Sequence, residues 1–193
     1  MERAQEFTGK ILVPFPLESA LSGVKRALQP GERLWYRRTF TVPKGWPGQR
    51  ILLHFGACDW QTSAWLNGHP LGTHQGGYLP FQFELTQYLQ AGENELLVAV
   101  WDPTDTHWQA RGKQVLHPTS IWYTAVSGIW QTVWLEPVPE TYIAGLKITP
   151  ELDSGTVWIQ ARLDGQGAER LAVRVSVLEK GHPIASGEAA AGQ

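Results

Sequence analysis

The chain has 193 residues, 42% of them hydrophobic and 18% charged, with a formal net charge of -2. That length and apolar content suit one full core and the beginning of a second, and not two complete large domains. The balanced charge offers no basic stripe for a phosphate backbone, so nucleic acid is not an expected partner. Nor is a membrane, since no apolar run approaches the roughly 18 residues of a spanning helix.

The N-terminal stretch MERAQEFTGKILVPFPLE has no continuous apolar region behind a basic start, which a secretory signal would require. A cytoplasmic location is the expectation for the sequence as written; an upstream signal peptide, once removed, would make the protein periplasmic or secreted. In LWYRRTFTV (34–42), Leu34, Tyr36, Phe40 and Val42 share one face while Arg37, Thr39 and Thr41 share the other. A step of two is the strand signature. RILLHF, ELLVAVW and GIWQTVWLE are further short apolar segments between clusters of Gly, Pro, Asn and Asp.

Between them, LNGHPLGTHQGGYLPFQFELTQYL (66–89) reads as a hairpin and its continuation. Asn67-Gly68 supplies the positive φ of a two-residue turn, Gly76-Gly77 turns the chain again, and Phe81, Phe83 and Leu85 give the apolar beat of the next strand. Thr86 is expected to cap a short helical turn, TQYL. ELLVAVW (95–101) is apolar on both faces and should be covered on both. The fold class expected is all-β: a jelly-roll-like antiparallel β-sandwich followed by a partial immunoglobulin-like β-sandwich.

The boundary falls at EPVPET (136–141), which gives a domain over 1–138 and a second over 139–193. In the second, Val157, Ile159, Ala161 and Leu163 alternate with Trp158, Gln160 and Arg162, and Leu171 to Val177 repeats the pattern. An immunoglobulin-like domain needs about 100 residues. With barely half of that and a patternless SGEAAAGQ end, the sequence reads as truncated inside its second domain. Cys58 stands alone, so it reads as a buried strand thiol, and no Cys/His spacing suits a metal. No metal or cofactor is expected.

Several segments in order, VPFPLESALSGV (13–24), LWYRRTFTVP (34–43), ILLHFGACDWQTSAWLNG (51–68), the 66–89 stretch and SGIWQTVWLEPVP (127–139), resemble the N-terminal part of glycoside hydrolase family 2. That group includes β-galactosidases, β-glucuronidases and β-mannosidases. The resemblance implies a jelly-roll sugar-binding domain, then an immunoglobulin-like domain, then a downstream TIM barrel carrying both catalytic glutamates. It thus implies a glycosidase parent acting on β-linked glycosides, with this chain as an accessory part of it that braces the barrel and contributes a loop to its pocket. A free-standing, lectin-like carbohydrate-binding module is the rival reading.

Glycoside hydrolysis needs two carboxylates facing one bond. Asn94-Glu95 echoes the asparagine before the family's acid/base, yet AGENELLVAV reads as a turn at Gly92 and Asn94 with Glu95 opening a strand. Asp102 and Asp105, in WDPTDTHW, read as solvated loop carboxylates. Ser120, His117 and Asp102 could be assembled into a triad only on paper, because no G-x-S-x-G elbow supports them. No catalytic residue is assigned.

Carbohydrate sites join an aromatic platform to planar hydrogen-bonding side chains, because a sugar has an apolar face and a rim of hydroxyls. Three loops have that chemistry. The first holds Asp59 and Trp60, the second His74, Gln75 and Tyr78, and the third, TDTHWQARGKQVLHPTSIWYTAVSG (104–128), holds Trp108, Lys113, Gln114, Trp122 and Tyr123. The third is long for a simple connection, and long ordered loops tend to be functional. The resemblance implies that Lys113 to Tyr123 reach toward the barrel's active site. An aspartate that binds sugar in many relatives, six residues before the motif glycine, is here Trp122. The substrate-binding candidates are therefore Lys113, Gln114, Trp122, Tyr123, Asp59, Trp60, His74 and Gln75, each with packing or solvent exposure as the competing role.

Overall fold

In the computed structural model, which describes residues 6–46 and 48–192, the period-two segments are strands. The chain divides into two compact units between Pro137 and Val138. The first contains β1 (Leu34–Thr41), β2 (Arg50–Phe55), β3 (Cys58–Asp59), β4 (Gln61–Leu66), β5 (His69–Gln75), β6 (Phe81–Glu84), β7 (Glu93–Trp101), β8 (Gln114–Val115), β9 (Tyr123–Thr124), β10 (Gly128–Ile129) and all but the last residue of β11 (Val133–Val138). One sheet has the order β1-β7-β4-β5 and faces a second of order β11-β2-β6; β3 and β10 form a short ladder of their own. This is an all-β, jelly-roll-like sandwich.

Alternation decides what lies between the sheets. Tyr36 from β1, Leu96, Val98 and Val100 from β7, and Ala64 and Leu66 from β4 pack with Ile51, Leu53 and Phe55 of β2. Phe55 is fully buried and stacks on Phe81 of β6 at 4.8 Å. Burying a side chain of that size stabilises by roughly 1.5–3 kcal/mol. The opposite face of β7 is covered as well, with Leu97 and Ala99 buried. There Trp35 and Trp65 stack at 5.5 Å, Trp101 Nε1 donates to Pro30 O at 2.9 Å, and Arg37 lies over the Phe7 ring. The N-terminal segment is thus part of the outer layer.

Local chemistry fixes the register. Asn67 and Gly68, with φ of 49° and 87°, make the tight turn between β4 and β5. Asn67 also donates through Nδ2 to Tyr88 O and to Asn94 Oδ1, both at 2.8 Å, and its Oδ1 accepts from Glu95 N. Asn94 differs from its sequence reading: it lies within β7, fully buried, because its amide also meets Gln90 N, Gln90 O and Gly92 O. Thr86 differs too. It is the first residue of a 3-10 turn (Thr86–Tyr88) whose cap is Leu85, and its Oγ1 accepts from Ile51 N at 3.0 Å, which ties the turn to β2.

The second unit consists of two antiparallel hairpins, β12 (Tyr142–Glu151) with β13 (Thr156–Asp164) and β14 (Ala172–Glu179) with β15 (His182–Ala190). Val173, Val175 and Val177 alternate with exposed neighbours, while Leu146, Ile148 and Trp158 are exposed. Arg174 and Glu188 pair across the second hairpin at 2.9 Å.

Candidate functional site

The chemistry gathers where the long loop leaves and rejoins the sandwich. At its start Asp102 is buried, with Oδ1 accepting from Thr104 N at 2.8 Å and Oδ2 from Ser127 Oγ at 2.7 Å. Asp102 is thus a structural acid, not the solvated loop carboxylate expected from the Pro-containing sequence. Ser127 is fully buried, and its N–H donates to Glu18 Oε2 at 3.0 Å. Glu18 also accepts from Leu28 N at 3.4 Å. One serine therefore joins the N-terminal segment, the end of β7 and the beginning of β10.

Gly128 follows with φ of 81°, and a Cβ there would overlap the Tyr36 hydroxyl, which accepts from Ile129 N at 3.1 Å. Only glycine satisfies both the left-handed backbone and that approach. The opposite strand of this short ladder is β3, where Gly128 pairs with Asp59 and Ile129 with Cys58. Burial pushes the Cys58 thiol up to about 12, so it is an inert thiol and not a nucleophile at neutral pH.

Asp59 is only 4% exposed, and among the described residues no donor reaches its carboxylate, which lies against Gly77. Burial, and then the charges of Asp102 and Glu18, push its carboxyl up to about 7. Burial also raises Asp102 and Glu18, though the hydrogen bonds from Ser127 oppose the rise in both. Three acids share one desolvated region, and the one without donors takes the proton most readily.

The loop itself is ordered by contacts along its length. Asp105 accepts from Leu116 N at 3.1 Å, and Gln109 Nε2 donates to Thr104 O at 2.7 Å. β8 and β9 pair in parallel, Gln114 opposite Tyr123, and Lys113 O accepts from Tyr123 N. Gln114 uses both ends of its amide, donating to the Tyr78 hydroxyl at 3.2 Å and accepting from Val126 N at 2.6 Å. It is therefore an anchor between the loop and the segment after β5. Lys113, Trp122 and Tyr123 keep exposed side chains, Trp122 at 42% and Tyr123 at 66%.

Two concavities flank this region. A wide groove of about 620 Å³ runs past Tyr78, Trp130, Gln131 and Trp134. A smaller pocket of about 210 Å³ lies at the end of β7, lined by Trp60, Gln75, Trp101, His107, Trp108 and Gln109. Trp60 is mostly buried and meets Trp101 edge to face at 6.0 Å and Trp108 at 5.9 Å. His74 points elsewhere: it stacks on Phe81 at 4.0 Å, and burial lowers its pKa.

The family model described as "Glycosyl hydrolases family 2, sugar binding domain" matches residues 12–139. The chain belongs to glycosyl hydrolase family 2. Its relatives include the β-glucuronidase of Canis lupus familiaris, 28% identical over 181 residues, with 83% of this chain and 28% of that protein covered. The β-galactosidase of Thermoanaerobacter pseudethanolicus is 32% identical over 109 residues, covering 56% of this chain and 14% of that protein. Among solved structures, the Faecalibacterium prausnitzii β-glucuronidase superposes with a TM-score of 0.70 at 28% identity, over 93% of this chain and 34% of that one. The chain thus spans less than a third of the length of either of these two curated relatives.

Within the family 2 domain, the eight candidate residues fall into separate groups. Lys113, Gln114, Trp122 and Tyr123 are brought together by the β8–β9 pairing, while Trp60 and Gln75 share the small pocket. Asp59 lies against Gly77, near Asp102 and Glu18, and His74 stacks on Phe81. Sequence reasoning missed Glu18, Trp101, Gln109 and Ser127. Only Ser127 had a signal, its place in the SGIW motif; Glu18 is 109 residues from its partner, and no local pattern links them.

Proposed function

We propose that this chain is the N-terminal, non-catalytic part of a family 2 glycoside hydrolase acting on β-linked glycosides. In this reading the sandwich braces a TIM barrel downstream in the same protein, and the Lys113–Tyr123 stretch completes the barrel's substrate pocket. The stretch 139–193 is the opening of an immunoglobulin-like domain. The observation that carries the reading is the anchored loop: Gln114 is held at both ends of its amide while Lys113, Trp122 and Tyr123 present free side chains. A rigid base with exposed aromatic and cationic tips suits positioning a substrate. The activities of the relatives, β-glucuronidase and β-galactosidase, support β-linked sugars as the class.

The acids around Ser127 support a non-catalytic role for this part, because Asp102 and Glu18 are both spent on Ser127 and Asp59 is only 4% exposed. The test is an assay of the full-length protein on β-linked nitrophenyl galactoside, glucuronide and mannoside. Cleavage of at least one is expected, with kcat/KM lowered about tenfold or more by Lys113→Ala or Tyr123→Ala. Failure to cleave any β-glycoside would sink the reading. Unchanged kinetics in both variants would remove the loop from it.

A further inference from the structure

We propose that the pocket formed by Trp60, Trp101 and Trp108 binds a single neutral pyranose, wholly within the first unit. The inference takes from the proposed function only that the ligand is a carbohydrate. Two of the three rings are fixed before any ligand arrives. Trp60 is mostly buried at the start of β4, and Trp101 is held by its Nε1 bond to Pro30 O. Trp108 is 83% exposed, so a large apolar ring stands in solvent at the pocket's edge. Such rings suit the C–H face of a sugar.

Gln109 supplies the second, independent observation. It is 6% exposed, its Nε2 is committed to Thr104 O, and its Oε1 is buried with no hydrogen-bonding partner among the described residues. Leaving such an acceptor unpaired costs about 1–3 kcal/mol, a cost that a ligand hydroxyl would remove once the Gln109 amide turns toward the pocket it lines. The Gln75 side chain, exposed at the end of β5, adds a planar amide at the rim. At about 210 Å³ the pocket has room for one ring and not for a chain of them.

Three tryptophans could also form a box for a quaternary ammonium ion. Charge argues otherwise here, because the Arg33 guanidinium already lies 5.6 Å from the centre of the Trp101 ring. A second cation would meet that charge, whereas a neutral sugar would not.

The 193-residue chain should be titrated by calorimetry with methyl β-galactoside, β-glucoside and β-mannoside, and separately with tetramethylammonium chloride. Saturable binding of at least one glycoside is expected with a roughly millimolar Kd, as for a small ligand with few contacts. Trp108→Ala should weaken it about tenfold, and Gln75→Ala by a smaller factor, whereas Trp158→Ala in the second unit should leave it unchanged. Absence of glycoside binding, binding undiminished in Trp108→Ala, or uptake of tetramethylammonium in place of sugar would each overturn the proposal. Binding lost in Trp122→Ala and kept in Trp108→Ala would move the sugar to the long loop, overturning this site while leaving the proposed function intact. Conversely, an inactive full-length protein whose isolated chain binds through Trp108 would overturn that function and leave this site standing.

Discussion

Ser127 donates its hydroxyl to Asp102 at 2.7 Å across 25 residues of chain, so a single hydrogen bond closes the base of the long loop. The same serine's N–H meets Glu18, which makes it the point where three segments distant in sequence are fixed together. Ser127→Ala should therefore destabilise the first unit by about 2 kcal/mol, since the deleted bond involves a charged acceptor and leaves Asp102 short of a donor. Urea denaturation followed by tryptophan fluorescence measures it, because nine of the ten tryptophans precede Pro137. A loss under about 0.5 kcal/mol would show that the clasp contributes little.

The buried acids set a pH dependence. Asp59 has a folded pKa of about 7 against an ordinary value of 3.8, so between those limits the folded state binds more protons than the unfolded state. Stability therefore falls as pH rises from about 4 to about 7, and Asp102 and Glu18, both raised, add to the same slope. The unit should be about 2–4 kcal/mol more stable at pH 5 than at pH 8. Asp59→Asn should flatten most of that difference, whereas an equal slope in the variant would assign it to other groups.

Gly128 allows a sharper test of packing. Its left-handed φ and the nearness of the Tyr36 hydroxyl make Gly128→Ala costly twice over. A loss of more than about 3 kcal/mol is expected, against about 1 kcal/mol for an unhindered left-handed glycine. In Tyr36→Phe the obstructing oxygen is gone, so the added cost of Gly128→Ala should shrink in the double variant. Strict additivity of the two would contradict the overlap.

Gln114→Ala removes the loop's link to Tyr78 and to Val126 without touching the core. Hydrogen exchange of the amides from Lys113 to Val126 should accelerate about tenfold or more, with those of β7 unchanged. Exchange that stays slow would mean that the β8–β9 pairing alone orders the loop.

Much of the sandwich was legible because its signals are local. Asn67-Gly68 announces a turn wherever it occurs, and the alternation in LWYRRTFTV names the face of Tyr36 without reference to any partner. Asp102 is not legible, because a carboxylate in a Pro-containing segment looks solvated until its donors are known. Those donors include Ser127, 25 residues away. Asn94 was misread as a turn residue for the same reason, since its burial depends on Asn67 reaching across from the β4–β5 turn. The small pocket is half legible: Trp60 and Gln75 carry sugar-binding chemistry in the sequence, but Gln109 matters only because Thr104 claims one end of its amide.

The clasp at the loop's stems has an evolutionary and an engineering consequence. With Asp102 and Ser127 holding the ends and Gln114 the middle, residues His117 to Tyr123 are exposed and bear no weight for the core. Such a tip can be lengthened, shortened or exchanged between paralogues at little thermodynamic cost. It is where a designer would graft a new contact, and where sequence divergence can accumulate on an unchanged scaffold.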